Sequence, residues 1–193
     1  IVHFIGEDNV VFHAIMWPAM LMAEGSFELP SYIAANCFLN IQFPGKEEEK
    51  MSTSRGTAVW INQYLEDYDP DPLRYYLTMI APESQRTAFM FDDLKRRNDE
   101  ELVATLGNFV HRAMTFTHKY FDGRIPERGK LDPQDSEQIQ RVKELPGAVA
   151  EELEDYHFKA ALQTIMAAAK ESNRYFDYRE PRVKRKENIE ECG

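Results

Sequence analysis

The chain has 193 residues, of which 43% are hydrophobic and 29% charged, the balance of a globular protein with room for one large or two small domains rather than of a disordered, fibrous or membrane chain. Its formal charge of −10 and pI near 5.0 exclude a general basic field, so any contact with nucleic acid must be local. Cys37 and Cys192 lie far apart, with no CxxC and no paired histidine, which suggests neither a disulfide framework nor a zinc site and fits a reducing compartment. No apolar run approaches the roughly 18 to 20 residues of a membrane span, and the opening IVHFIG is neither basic nor followed by a cleavage signal. A cytoplasmic protein is the expectation. The start inside a hydrophobic run and the abrupt NIEECG ending suggest a fragment of something longer.

Residues 1–5, IVHFI, are β-branched and aromatic and stop at Gly6, which predicts a buried strand of a parallel sheet. From Asp8 the pattern turns helical. Asp8 or Asn9 can cap, and Val10, Ile15, Met16, Ala19 and Met20 recur at helical spacing through Met22. Residues 32–43 predict one or two strands, followed by PGKEEEKMSTSRG, a loop dense in charge, glycine and hydroxyls. A short helix is expected over 57–67, ending before DYDPDP, and an apolar helix over 73–80. From Asp92 the chain reads as long amphipathic helices, 92 to about 121, 133–153 and 156–178. FDGRIPERGKLDP joins the first two, and LPGA around Pro146 is a candidate break in the second. The expected fold is mostly α with an N-terminal α/β segment, a helical bundle following from a boundary near 70–92.

Several groupings carry chemistry. Gly6 and Asp8 stand where a strand ends and a helix begins, which in doubly wound sheets is where nucleotides bind, with a carboxylate suited to ribose hydroxyls. A simple N-cap is the other role open to Asp8. Lys50, Ser52, Ser54 and Arg55 put positive charge and hydroxyl donors on one loop, as a pyrophosphate leaving group requires; a solvated loop with a chance basic cluster is the alternative. His13 and Trp17 are four apart on one helix face, and aromatic faces suit a polarisable thioether, although Phe12, His13 and Trp17 also fit an aromatic core stripe. Asn108 and Arg112, again four apart, offer an amide and a guanidinium that can read the edges of unstacked bases, or form an exposed polar face. Lys184, Arg185 and Lys186 make a local basic patch able to meet phosphates, or a solvated charge run.

KMSTSRG at 50–56 resembles the KMSKS signature of class I aminoacyl-tRNA synthetases. HFIGEDNVVFHAIMWPAML at 3–21, DPLRYYL at 71–77 and NRYFDYREP at 173–181 are similar to segments of the methionyl-tRNA synthetases, in the same order and over nearly the whole chain. The resemblance implies the end of a Rossmann-like catalytic domain over 1–69, a stem-contact region over 70–91 and a helical anticodon-binding domain over 92–193. It implies activation of methionine by ATP with Mg²⁺ and transfer to tRNA(Met), with no DNA or membrane partner and no metal site in this segment. By the same resemblance Lys50, Ser52, Ser54 and Arg55 are catalytic and Gly6, Asp8, Lys50, Met51 and Ser52 hold ATP. Phe12, His13 and Trp17 line the methionine pocket, and Asn108, Arg112 and Arg182 meet the CAU anticodon. The family's HIGH motif, the other half of its amino-acid pocket and its zinc-bearing insertion lie upstream of the first block, so this segment is not expected to be an enzyme alone.

Two positions depart from the family pattern. Its second signature lysine is Thr53 here, leaving Lys46, Lys50 and Arg55 to carry the charge, and its anticodon-stacking tryptophan is Arg182, whose guanidinium plane can also stack. These departures keep alternatives open: a non-catalytic tRNA-binding module, or another class I synthetase such as those for leucine, valine or cysteine. A helical protein-interaction domain would need all four blocks to be coincidence.

Overall fold

The computed structural model describes residues 1–186, and Cys192 and the closing NIEECG lie outside the described residues. The fold is mostly α with an N-terminal α/β segment, in two compact units, Ile1–Leu94 and Lys95–Gly193.

In the first unit β1 (Val2–Gly6) pairs in parallel with β2 (Tyr32–Asn36), from Val2↔Tyr32 to Gly6↔Asn36. A parallel pair needs a crossover. It is supplied by a 3₁₀ turn over Glu7–Asn9, a π-helical turn over Phe12–Met16 and α1 (Trp17–Glu24). Gly25, at φ 88°, ends α1 in the left-handed region that glycine adopts without a Cβ clash. The expected cap by Asp8 or Asn9 is not the one used. The strand runs straight into the 3₁₀ turn, so the cap position is Gly6, without a side-chain cap, and Asp8 and Asn9 lie inside the turn.

A second sheet has β3 (Leu39–Ile41) between β4 (Glu49–Lys50) and β5 (Thr87–Phe89). β4 is antiparallel to β3, with Asn40↔Lys50 and Ile41↔Glu49; β5 is parallel, with Ile41↔Phe89. Between β4 and β5 the chain passes through α2 (Ile61–Asp67) and α3 (Pro70–Met79). Ile41, Tyr64, Leu73, Tyr76, Ile80 and Phe89 form the buried core, with Leu39, Met51, Val59 and Leu94 among the residues packed against it. Tyr76 meets Phe89 edge to face at 5.3 Å, and its hydroxyl accepts the Met90 amide at 3.0 Å, so this buried polar group is satisfied.

One long helical run leads into the second unit: α4 (Phe91–Arg97), a π-helical stretch over Asn98–Gly107, and α5 (Asn108–Tyr120). Periodicity predicted a single α-helix; the widened stretch ends at Gly107, where a Cβ would come within 3.0 Å of the Leu102 carbonyl oxygen. α6 (Pro133–Glu154) runs through Pro146 instead of breaking there. The ring removes one backbone bond, at a cost of about 3 kcal/mol. Half-buried Ile139, Leu145 and Val149 carry the apolar stripe across it, and α6 packs on α7 (Phe158–Arg179). α8 (Pro181–Lys184) follows.

One polar cluster ties the start of α6 to the end of α7. Asp132 accepts the amides of Gln134 and Asp135 at 2.8 and 3.0 Å, and Asp135 accepts the Asp132 amide at 2.9 Å, a complete capping box. Arg179 of α7 pairs with Asp132 at 2.6 Å and also with Asp135, which accepts the Tyr175 hydroxyl as well. The Arg179 hydrogen bond, with the two amides, holds the Asp132 carboxyl below its ordinary 3.8. Burial works to raise Asp135, but the Tyr175 hydroxyl, the Asp132 amide and the Arg179 charge outweigh it and leave it lowered.

Truncating Phe89 to alanine should cost about 3–5 kcal/mol, read as a lower melting temperature; an unchanged melt would mean the core does not rest on this ring. Both aspartates are depressed in the folded state, so their contribution is present above the unfolded value near 3.8 and is lost as pH falls through the folded values. Melting curves should therefore decline below about pH 4, and the decline should be shallower in Asp132→Asn, which is already weaker at neutral pH.

Candidate functional site

At the carboxyl end of β1, Gly6 leaves room for the acid that follows: a Cβ there would lie 2.8 Å from Asp8 Oδ1. Asp8 is exposed, and its Oδ1 accepts only a long 3.3 Å contact from Asn9 Nδ2 among the bonds described, so lone pairs remain for a ligand. Glu7, between them, is half-buried and clasps Arg86, whose Nε and Nη2 donate to Glu7 Oε1 at 2.9 and 2.7 Å. Burial, then the hydrogen bond and charge of Glu7, push the neighbouring Cys37 thiol up, against the pull of Arg86.

One turn further, His13 Nδ1 lies 3.3 Å from His3 Nδ1, the rings edge to face at 5.3 Å. One ring must donate while the other accepts. Phe12 and Trp17 stand open, 56% and 45% exposed. The i,i+4 spacing led to a shared face for His13 and Trp17; the π-helical turn that carries His13 joins it to a strand residue ten positions back, a partner that no helical period reveals.

The KMSTSRG loop is a tight hairpin. Ser52 and Thr57 exchange backbone bonds at 3.1 and 2.9 Å, Gly56 donates to the Thr53 carbonyl at 3.2 Å, and Gly56 takes φ 68°, as the turn requires. The Ser52 and Ser54 hydroxyls are 3.1 Å apart, and Arg55 Nη2 donates to the Lys50 carbonyl at 3.1 Å. Met51 packs against the core, so its side chain is structural as the loop stands. Lys50 lies just before the hairpin, on β4, with its Nζ 4.2 Å from the centre of the Phe38 ring; Arg86 lies 5.7 Å from the same ring. The loop thus joins Ser52 to Ser54 and Arg55 to the Lys50 backbone, while the Lys50 ammonium shares the Phe38 ring with Arg86, which Glu7 pairs at the other strand end.

In the second unit Asn108 opens α5 and is exposed, while Arg112 is half-buried. The Arg112 guanidinium lies 4.6 Å over the Phe176 ring and pairs with Asp177. It is held against α7 rather than projecting freely beside Asn108. Asn173 ties α7 to the π-helical stretch, its Nδ2 donating to the Thr105 carbonyl at 2.8 Å. Arg182 is exposed on α8, and Arg185 lies 4.4 Å over the Tyr120 ring. His3, Phe38, Arg86, Phe176 and Asp177 escaped sequence reasoning. Phe176 and Asp177 sit in the NRYFDYREP block, where they had a signal; Phe38 and Arg86 are joined to the site only by the sheet.

Among the described residues no group of three His, Cys, Asp or Glu side chains is placed to hold a metal ion, and no helix is long and apolar enough to cross a membrane.

The family model described as tRNA synthetases class I (M) matches residues 1–114, more than half of the chain, and the chain belongs to that family. The methionine--tRNA ligase of Thermococcus kodakarensis is 46% identical over 199 residues, covering 98% of this chain and 26% of that protein. That of Porphyromonas gingivalis is 48% identical over 183 residues, covering 94% and 26%. Among solved structures, Mycobacterium tuberculosis methionyl-tRNA synthetase bound by methionyl-adenylate matches with a TM-score of 0.89 at 28% identity, over 99% of this chain and 37% of that one. The free form of the same synthetase matches with a TM-score of 0.83. The chain spans about a quarter of the length of the curated relatives it matches.

Proposed function

We propose that this segment works within a cytoplasmic methionine--tRNA ligase, which activates methionine with ATP and Mg²⁺ and transfers it to tRNA(Met). In this reading 1–69 supplies part of the adenylate site, 70–91 contacts the acceptor stem and 92–193 reads the CAU anticodon. One observation carries the catalytic half: the Lys50 ammonium and the Arg86 guanidinium share the Phe38 ring, and Arg86 is clasped by Glu7, which stands between Gly6 and Asp8.

The Asp8 carboxylate takes the ribose hydroxyls, and Gly6 lets the sugar approach the backbone. As the methionine carboxylate attacks the α-phosphate, charge builds on the departing pyrophosphate. Lys50, the Ser52 and Ser54 hydroxyls and Arg55 supply the positive charge and donors that meet it. Mg²⁺ is read as part of the ATP substrate, on its phosphates. His13, held by His3, joins Phe12 and Trp17 against the methionine side chain, where aromatic rings suit a thioether. On the helical unit Asn108 and Arg112 address the edges of splayed anticodon bases, Arg182 stacks, and Lys184, Arg185 and Lys186 answer phosphates. Thr53 and Arg182 favour one other reading, a tRNA-binding module without catalysis.

In the whole protein, Lys50→Ala should lower methionine-dependent ATP–pyrophosphate exchange by about 10²-fold, and Thr53→Lys should raise it. An unaffected rate in the first variant contradicts the phosphate role, and a fall in the second contradicts the view of threonine as a handicap. Exchange supported by an amino acid other than methionine would end the methionine assignment. A CAU stem-loop should bind tighter than one with a single base changed by roughly 1–3 kcal/mol at fixed salt, a margin that Asn108→Ala should erase. Equal affinity for the two loops would remove anticodon reading from this unit.

A further inference from the structure

Lys50 is the cation on which the phosphate reading rests, yet a lysine side chain is a flexible four-carbon stem with no fixed direction of its own. The sheet supplies that direction. Lys50 pairs with Asn40 across the β3–β4 ladder, and Phe38 precedes Asn40 by two residues. Phe38 stands one residue before β3 begins at Leu39, and continuing the strand's alternation back to it puts it on the face of Asn40, diagonal to Lys50 and within reach of a long side chain. The ammonium indeed lies 4.2 Å from the Phe38 ring centre, within the range of cation–π attraction.

Further contacts hold the backbone and one edge of this seat. The amide of Cys37, next to Phe38, donates to the Pro82 carbonyl at 2.8 Å. Arg86 lies 5.7 Å from the same ring, and its charge is answered by two hydrogen bonds to Glu7. It therefore packs on the ring without setting an uncompensated second cation beside Lys50. At the other end, the Lys50 carbonyl accepts Arg55 Nη2 at 3.1 Å and Thr57 Oγ1 at 3.5 Å, so the backbone under the lysine is held by the hairpin it precedes.

Resting on the phosphate role of Lys50, we propose that Phe38 is a positioning residue for adenylate formation, an aromatic seat that aims the Lys50 ammonium. Arg86 and Glu7 hold that seat against the ribose corner. Phe38 touches no reacting atom. Its face restricts the lysine before ATP arrives, so less freedom is lost as charge develops on the leaving group.

The test is ATP–pyrophosphate exchange in the whole protein, with Lys50→Ala, Phe38→Leu and Phe38→Trp compared, and with phenylalanines of increasing fluorination placed at position 38. Phe38→Leu should lower kcat about two- to fivefold and leave the KM for methionine unchanged, and Phe38→Trp should restore kcat. Fluorination keeps the shape of the ring while draining its negative face, so kcat should fall stepwise, a readout that survives even where Phe38→Leu fails to fold. Wild-type kcat across the fluorinated series, with Lys50→Ala strongly impaired, overturns the seat and leaves the phosphate reading standing. A rise in methionine KM that matches the loss of kcat, or failure of Phe38→Trp to restore, also overturns it. Wild-type exchange in Lys50→Ala brings down the phosphate reading, and the seat with it.

Discussion

Strand β3 is three residues long, and the placement of Lys50 and of the core beneath it follows from its two neighbours. Its parallel pairing with β5 sets Ile41 opposite Phe89, and that pair, with Tyr76, is sealed from water. Its antiparallel pairing with β4 sets Asn40 opposite Lys50. A slip of one residue would turn Ile41 out to solvent and carry Lys50 to the opposite face of the ladder. Burial of one apolar residue thus fixes the direction of one cation. Arg86, one position before β5, inherits the same constraint and reaches back to Glu7 at the end of the other strand pair.

The helical unit solves a comparable problem with charge. The first end of α6 and the last turn of α7 meet at Arg179, which answers two aspartates of a capping box while Tyr175 supplies a third donor. Two residues before Arg179, Asp177 holds Arg112 over Phe176. The last two turns of α7 therefore order both the bundle and the guanidinium proposed to read RNA. An ion pair there also means that any base reaching Arg112 must compete with a carboxylate, which favours ligands offering good hydrogen-bond geometry over mere negative charge.

The helices of the second unit were legible because amphipathic periodicity persists over twenty residues and more, and the class of the first unit was legible from IVHFI and its glycine. β4 and β5 were not: two and three residues carry no period, and β4 lies within a charge-dense loop whose composition reads as irregular. Pro146 signalled a break that packing on α7 overrides. Asp8 looked like a cap because a carboxylate just after a strand commonly caps; the 3₁₀ turn puts Gly6 at the cap position instead. At the site, Lys50, Ser52, Ser54 and Arg55 were visible as a cluster in sequence. Contacts such as His3 on His13 and Phe38 against Lys50 were hidden, since each joins residues of different elements.

The central claim is that the Gly6–Asp8 corner and the Lys50 ladder form one nucleotide site. Amide hydrogen exchange of the whole protein, with and without a non-hydrolysable ATP analogue, tests it most directly. Protection should appear on nucleotide binding at both Gly6–Asn9 and Lys50–Thr57, with the same dependence on analogue concentration. Protection at one segment without the other, or at neither, would contradict the account.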